Sequence, residues 1–105
     1  MKSKLEQYNQ SYKKALGTVI YKLIPDIGSL SVTDVLLDPS FQHGRVWLHA
    51  STAALARIQA KRVDIQNSLA RYVKTRYTPK LTFVIDDRYL EQMDQLFHQV
   101  EQDEN

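Results

Sequence analysis

Between Arg57 and Lys80 the chain sets seven cations, Arg57, Lys61, Arg62, Arg71, Lys74, Arg76 and Lys80, against one acid, Asp64. Side chains of this kind, at this density, neutralise phosphates and give affinity for a polyanion. They are densest in Arg71–Asp86, RYVKTRYTPKLTFVID. From Asp86 the sign reverses, with Asp86, Asp87, Glu91, Asp94, Glu101, Asp103 and Glu104 against Arg88 alone. The net charge of +2 conceals this division. Segregated charge predicts a polyanion partner for the basic part. The competing explanation is a solvated helix face whose charges sort by segment. Lys13, Lys14, Lys22 and Arg45 form a second rank of candidate phosphate contacts.

Other chemistries find little support. His43, His49 and His98 are far apart, with no second ligand at helical spacing, so no metal site is expected. Asp86 and Asp87 are consecutive at a strand end and point to opposite faces, which suits a helix cap better than a catalytic carboxylate pair. Gly17, Gly28 and Gly44 are too dispersed for a phosphate-cradling loop, including the GxxG loop of ordinary KH domains. The absence of cysteine excludes disulfides and thiol catalysis. No catalytic residue, cofactor or small-molecule substrate is expected. Tyr72, Tyr77 and Trp47 lie near the cations and are able to stack on bases. The periodicity instead favours Tyr72 in the core and Trp47 as cover for the sheet.

The elements that must position these residues follow from periodicity. An apolar stripe of Leu5, Tyr8, Tyr12, Ala15, Leu16, Val19, Ile20 and Leu23 predicts a helix over Lys4–Leu23. Gly17 within it costs up to about 1 kcal/mol relative to alanine and suggests close approach of a neighbour. Ile24-Pro25-Asp26-Ile27-Gly28 ends the helix. A strand at Leu30–Leu37 breaks parity, since Leu30 and Val32 fall on one face but Val35 and Leu37 on the other. A bulge near Thr33-Asp34 reconciles them. The turn Asp38–Gly44 leads to a second strand, Arg45–His49, completing a hairpin.

Ser51 or Thr52 caps a long helix predicted to reach about Arg76, with Leu55, Ile58, Ile65, Leu69, Tyr72 and Val73 inside. The stripe lapses at Lys61-Arg62, which predicts a kink. Pro79 drives Thr78 out of helical geometry, so the helix stops by then. Lys80–Ile85 alternates as a third strand, and Asp87–Val100 has the pattern of a last helix. The long crossover lets the second and third strands run parallel. The expectation is an α+β domain, a three-stranded mixed sheet covered on one face by helices.

At this length one domain is expected, residues 1–100, followed by an acidic tail at 101–105. No apolar run approaches the roughly 20 residues of a membrane span, and the N-terminal segment has no secretory h-region. A soluble, cytoplasmic monomer without a membrane partner is the resulting expectation.

Several of these residues carry a family resemblance. Arg76-Tyr77-Thr78-Pro79-Lys80-Leu81-Thr82-Phe83 followed by Asp86 is similar to the R-x-x-P-x-L-x-F and aspartate hallmark of ribosome-binding factor A proteins. Ile65-Gln66-Asn67-Ser68-Leu69-Ala70 resembles that family's I-R-x-x-L-A segment. Leu30–Val35 and Gly44–Leu48 resemble its paired strands. The likeness spans about Leu5 to Val100. It implies a KH-like domain of type II topology without a GxxG loop. It also implies a non-enzymatic assembly factor that binds small-subunit rRNA late in maturation, near the decoding region and 5′ end. Two departures stand out. Ala60-Lys61-Arg62-Val63 has no glycine at the kink, and Gln66 replaces an expected arginine, with Arg62 one turn earlier as a substitute cation. A small protein-interaction module is the alternative. A nuclease using Asp86, Asp87 and a histidine is the weakest reading.

Overall fold

In the computed structural model, residues 3–76 and 78–88 are described. Helix α1 spans Lys4–Leu23, strand β1 Ser31–Leu37 and strand β2 His43–His49. Helices α2 (Thr52–Ala60) and α3 (Arg62–Tyr72) follow, and then strand β3, Lys80–Ile85. The predicted helix over Asp87–Val100 from Tyr89 onward, the acidic tail and Tyr77 lie outside the described residues.

The sheet order is β1-β2-β3, with β1 antiparallel and β3 parallel to β2. The helical crossover therefore does what its length allows. Thr33 is the bulge: Val32 pairs with Leu48 and Asp34 with Trp47, leaving Thr33 unopposed. The extra residue lets Val32, Val35 and Leu37 all pack on the core side. Val46, Leu48, Leu81 and Phe83 complete that side from β2 and β3, meeting Tyr12, Leu16, Val19 and Ile20 of α1 and Ile58, Ile65 and Leu69 of α2 and α3. Three helices thus cover one face of the sheet. This is the α+β, KH-like arrangement expected, with no GxxG loop.

Ser3 caps α1 by accepting the Glu6 amide, and Ser51 rather than Thr52 caps α2 through the Ala54 amide. The kink is a break at Lys61, whose φ of −100° and ψ of 12° are open to any L-residue. Its amide still donates to Arg57 and Ile58 carbonyls, and its carbonyl accepts from Ile65. No glycine is needed.

Three expectations change. The second helical half ends at Tyr72, not near Arg76, because Val73 is extended at φ −126° and ψ 114° and turns its side chain into the core. Proline sets only the latest end of that helix; tertiary burial of Val73 sets the earlier one. Tyr72 is 46% exposed rather than buried. Gly17 serves no close approach, since a Cβ there would meet nothing within 4 Å. The tight glycine is Gly44, where a Cβ would lie 2.7 Å from Leu37 Cδ2 and 3.1 Å from Leu81 Cδ2.

Candidate nucleic-acid interface

The candidate cations occupy several places on the fold. One group gathers where the C-terminal end of α1 meets α2 and α3. Arg57 and Lys61, one helical turn apart, line a groove with Leu23, Ile24, Asp26 and Ala60. The adjoining groove, also lined by Leu23, holds Lys22, Arg71, Tyr72, Val19 and Ser68. Lys22, Arg57, Lys61 and Arg71 therefore share one flank of the helical layer. Arg57 is bound to Asp26 at 2.8 Å, and Arg57 holds the Asp26 carboxyl below its usual range. Among the described residues, Lys22, Lys61 and Arg71 pair with no acid. Asp64 lies seven positions before Arg71 and tempers that face, since such residues share a helix side.

Tyr72 belongs to this flank. Lys22 Nζ donates to its hydroxyl at 3.0 Å and sits 5.7 Å from its ring centre. An exposed ring held among cations is the arrangement that stacks a base while its phosphates are neutralised. Apolar periodicity assigned Tyr72 to the core. It could not register that the helix ends at this residue, where its side chain is free of the next turn.

The other candidates lie elsewhere. Lys13 and Lys14 line a cleft on the opposite side of α1, with Gly17, Leu30, Ser31 and Val32. Arg45 and Lys80 are exposed on β2 and β3 and share the sheet face turned away from the helices. Arg62 is exposed at the start of α3, and Lys74 is exposed in the connector beyond it. Arg76 lies near Lys4 at the N-terminal end of α1. The fold divides the candidates among the helical layer, the α3–β3 connector and the back of the sheet.

That back face carries its own cluster. Arg88 lies 4.6 Å from the Trp47 ring centre and donates to Asp86 and Asp34. Trp47 thus covers the sheet, as expected, and is itself covered by a guanidinium. Thr33, lifted out of pairing by the bulge, donates to Asp86 Oδ2 at 2.6 Å. The Arg88 and Thr33 hydrogen bonds hold the Asp86 carboxyl far below the ordinary carboxylate range. A carboxylate so firmly ionised is a poor proton donor near neutral pH. Asp86 also accepts the Arg88 amide at 3.1 Å.

The departure at Gln66 has a structural use. Its Oε1 accepts the Leu81 amide at 2.9 Å, occupying an outward amide of β3. Gln59 approaches the Phe83 carbonyl on the same strand at 3.4 Å. Side chains from the crossover helices thus plug the edge of β3 that no strand pairs with among the described residues.

With this fold and these joints in place, comparison with known proteins is decisive. The sequence profile described as ribosome-binding factor A matches residues 4–97. The chain belongs to the ribosome-binding factor A family. A curated relative of that name from Akkermansia muciniphila is 28% identical over 93 residues, covering 83% of this chain and 74% of the relative. The crystal structure of ribosome-binding factor A from Thermus thermophilus superposes with a TM-score of 0.73 at 25% identity, covering 79% of this chain and 97% of the other. A second similar structure is a homology model of the Thermus thermophilus protein fitted into a cryo-EM map of a complex of the 30S subunit with ribosome-binding factor A. It gives a TM-score of 0.67 at 27% identity, covering 83% of this chain and 97% of the other. Within the ribosome-binding factor A frame, the Arg76–Phe83 motif is the exit from the helical crossover into β3. Its Pro79 is buried, Leu81 and Phe83 are core, and Lys80 and Thr82 face outward.

Proposed function

We propose that this protein binds the small ribosomal subunit during late assembly and holds immature rRNA near the decoding region and 5′ end in one conformation, without catalysing a covalent step. Membership of the ribosome-binding factor A family, together with a structural relative fitted into a 30S complex, supports the partner. The observation that carries the site is the flank of Lys22, Lys61 and Arg71 beside exposed Tyr72. Arg57 adds to it through a surface ion pair that is cheap to exchange for a phosphate. Cations along the grooves of the helical layer give affinity through phosphates, and rRNA shape gives the selectivity. Residues 1–100 act as one RNA-binding unit in this reading. Arg62, Lys74, Arg76, Lys80, Lys13, Lys14 and Arg45 are peripheral contacts.

Gradient sedimentation of cell extract tests this reading. The protein is expected to co-migrate with free small subunits and not with translating ribosomes, and its depletion is expected to leave small-subunit rRNA with an unprocessed 5′ end. Sedimentation with neither fraction would overturn it.

A further inference from the structure

A second place on the molecule has the makings of an RNA contact, away from the flank described above. The first turns of α1, the β1–β2 loop and the connector from α3 to β3 enclose a cleft of about 310 Å³. Its lining among the described residues is Lys4, Tyr8, Ser40, Phe41, Thr75 and Arg76, two aromatic rings and two cations with no described acid. The volume lies at the small end of the range for ligand pockets and suits one flat ring rather than a duplex groove. Tyr8 and Phe41 meet edge to face with centroids 5.3 Å apart, and that geometry leaves at least one ring face unspent by the pair.

The loop that supplies Phe41 is built to hold it. Phe41 has a φ of 62°, in the left-handed region where glycine or asparagine is usual and a bulky residue is disfavoured. The Asp38 carboxylate accepts from the Ser40 amide at 3.0 Å and the Ser40 hydroxyl at 2.6 Å, and the Asp38 carbonyl accepts from the Phe41 amide at 3.0 Å. A turn alone would be served better by glycine. Packing alone would be served by any apolar side chain. Phe41 and Tyr8 are half-buried against the core, and the two rings they hold there stand beside the two cations of the cleft.

We propose that this cleft receives one unpaired nucleotide of an RNA, its base stacked on the Tyr8–Phe41 pair and its phosphates drawn by Lys4 and Arg76. The lining hydroxyls are already engaged, Ser40 with Asp38 and Thr75 with Tyr12, so they leave little to read the base edge. Stacking of this kind accepts any base. The cleft therefore selects for an extruded, single-stranded position rather than for a letter, as proteins that recognise unpaired RNA do. The proposal rests on the RNA-binding reading above and adds a ligand class and a second contact to it.

Wild-type protein bound to purified small subunits, irradiated with short-wave ultraviolet light and digested, is expected to yield a nucleotide adduct on a peptide at Tyr8 or Phe41. Phe41→Leu, which keeps an apolar side chain, is expected to weaken subunit binding about 5- to 150-fold, the loss of one base stack. Phe41→Tyr keeps the ring and is expected to bind like wild type. Binding by wild type with adducts only at other positions, and Phe41→Leu as tight as wild type, would sink the cleft while leaving the helical flank intact. Cross-linking of Tyr8 or Phe41 to a ribosomal protein instead of a nucleotide would also sink it. Failure of wild type to bind small subunits at all would remove both readings together. If Phe41→Leu does not fold, the wild-type adduct decides alone.

Discussion

The Oε1 of Gln66 accepts the backbone amide of Leu81 at 2.9 Å, so a side chain of α3 completes the hydrogen bonding of β3 on the side where, among the described residues, no strand pairs with it. Leu81 is buried, and an amide there without a partner is costly. Replacing Gln66 with alanine is expected to lower unfolding free energy by about 1–3 kcal/mol, the range for an orphaned buried donor. Arginine, the residue the family likeness leads one to expect, has no acceptor and is expected to fare no better at this amide. Gln66→Glu keeps the acceptor and is expected to retain most of the stability. Urea denaturation of the three variants checks the order; equal stability of alanine and glutamate variants would refute it.

The cationic flank makes a prediction about salt. Each phosphate contact on single-stranded nucleic acid contributes about 0.7 to the slope of log affinity against log salt, and about 0.9 on duplex DNA. Lys22→Ala, Lys61→Ala and Arg71→Ala combined are thus expected to weaken small-subunit binding and flatten the slope by about 2 to 3. Arg45→Ala with Lys80→Ala, on the opposite side of the sheet, is expected to change it less. Filter binding across a salt series, with circular dichroism to verify folding, distinguishes the two faces.

Asp86 sets a pH dependence. Arg88 and Thr33 lower its carboxyl in the folded protein, so the folded state binds its proton less readily than the unfolded chain. Its contribution to stability is then complete above the unfolded value of about 3.9 and is lost as pH falls through the folded value. Asp86→Asn is expected to melt at a lower temperature at neutral pH, with the gap to wild type closing on acidification. Melting curves between about pH 2 and 7 would show this, over the range in which carboxylates titrate. A gap that stays constant with pH would mean that the carboxylate charge is not the source.

Two glycines are expected to respond in opposite ways to alanine. Gly17 is helical with no neighbour in the way, so Gly17→Ala is expected to stabilise by about 0.5–1 kcal/mol. Gly44 sits against Leu37 and Leu81, both buried, so Gly44→Ala must displace core side chains and is expected to cost about 1–3 kcal/mol. Thermal melting of the pair tests whether the close approach lies where the strands meet rather than along α1.

Much of the architecture was determined by the sequence itself. The apolar stripe set α1 at Lys4–Leu23, alternation set β3 at Lys80–Ile85, and the parity break between Val32 and Val35 required the bulge that Thr33 forms. These features are local, because side-chain direction along a helix or strand follows from backbone period alone. The tertiary structure decided what depends on distant partners. It ended α3 at Tyr72 by burying Val73, left Tyr72 beside Lys22, fifty positions away in sequence, and gave Gln66 an amide of β3 to satisfy. It also sorted the cations among the helical layer, the connector beyond α3 and the back of the sheet. Charge in a sequence has number and order but no side; only packing of the crossover against α1 gives Lys22, Lys61 and Arg71 a common face.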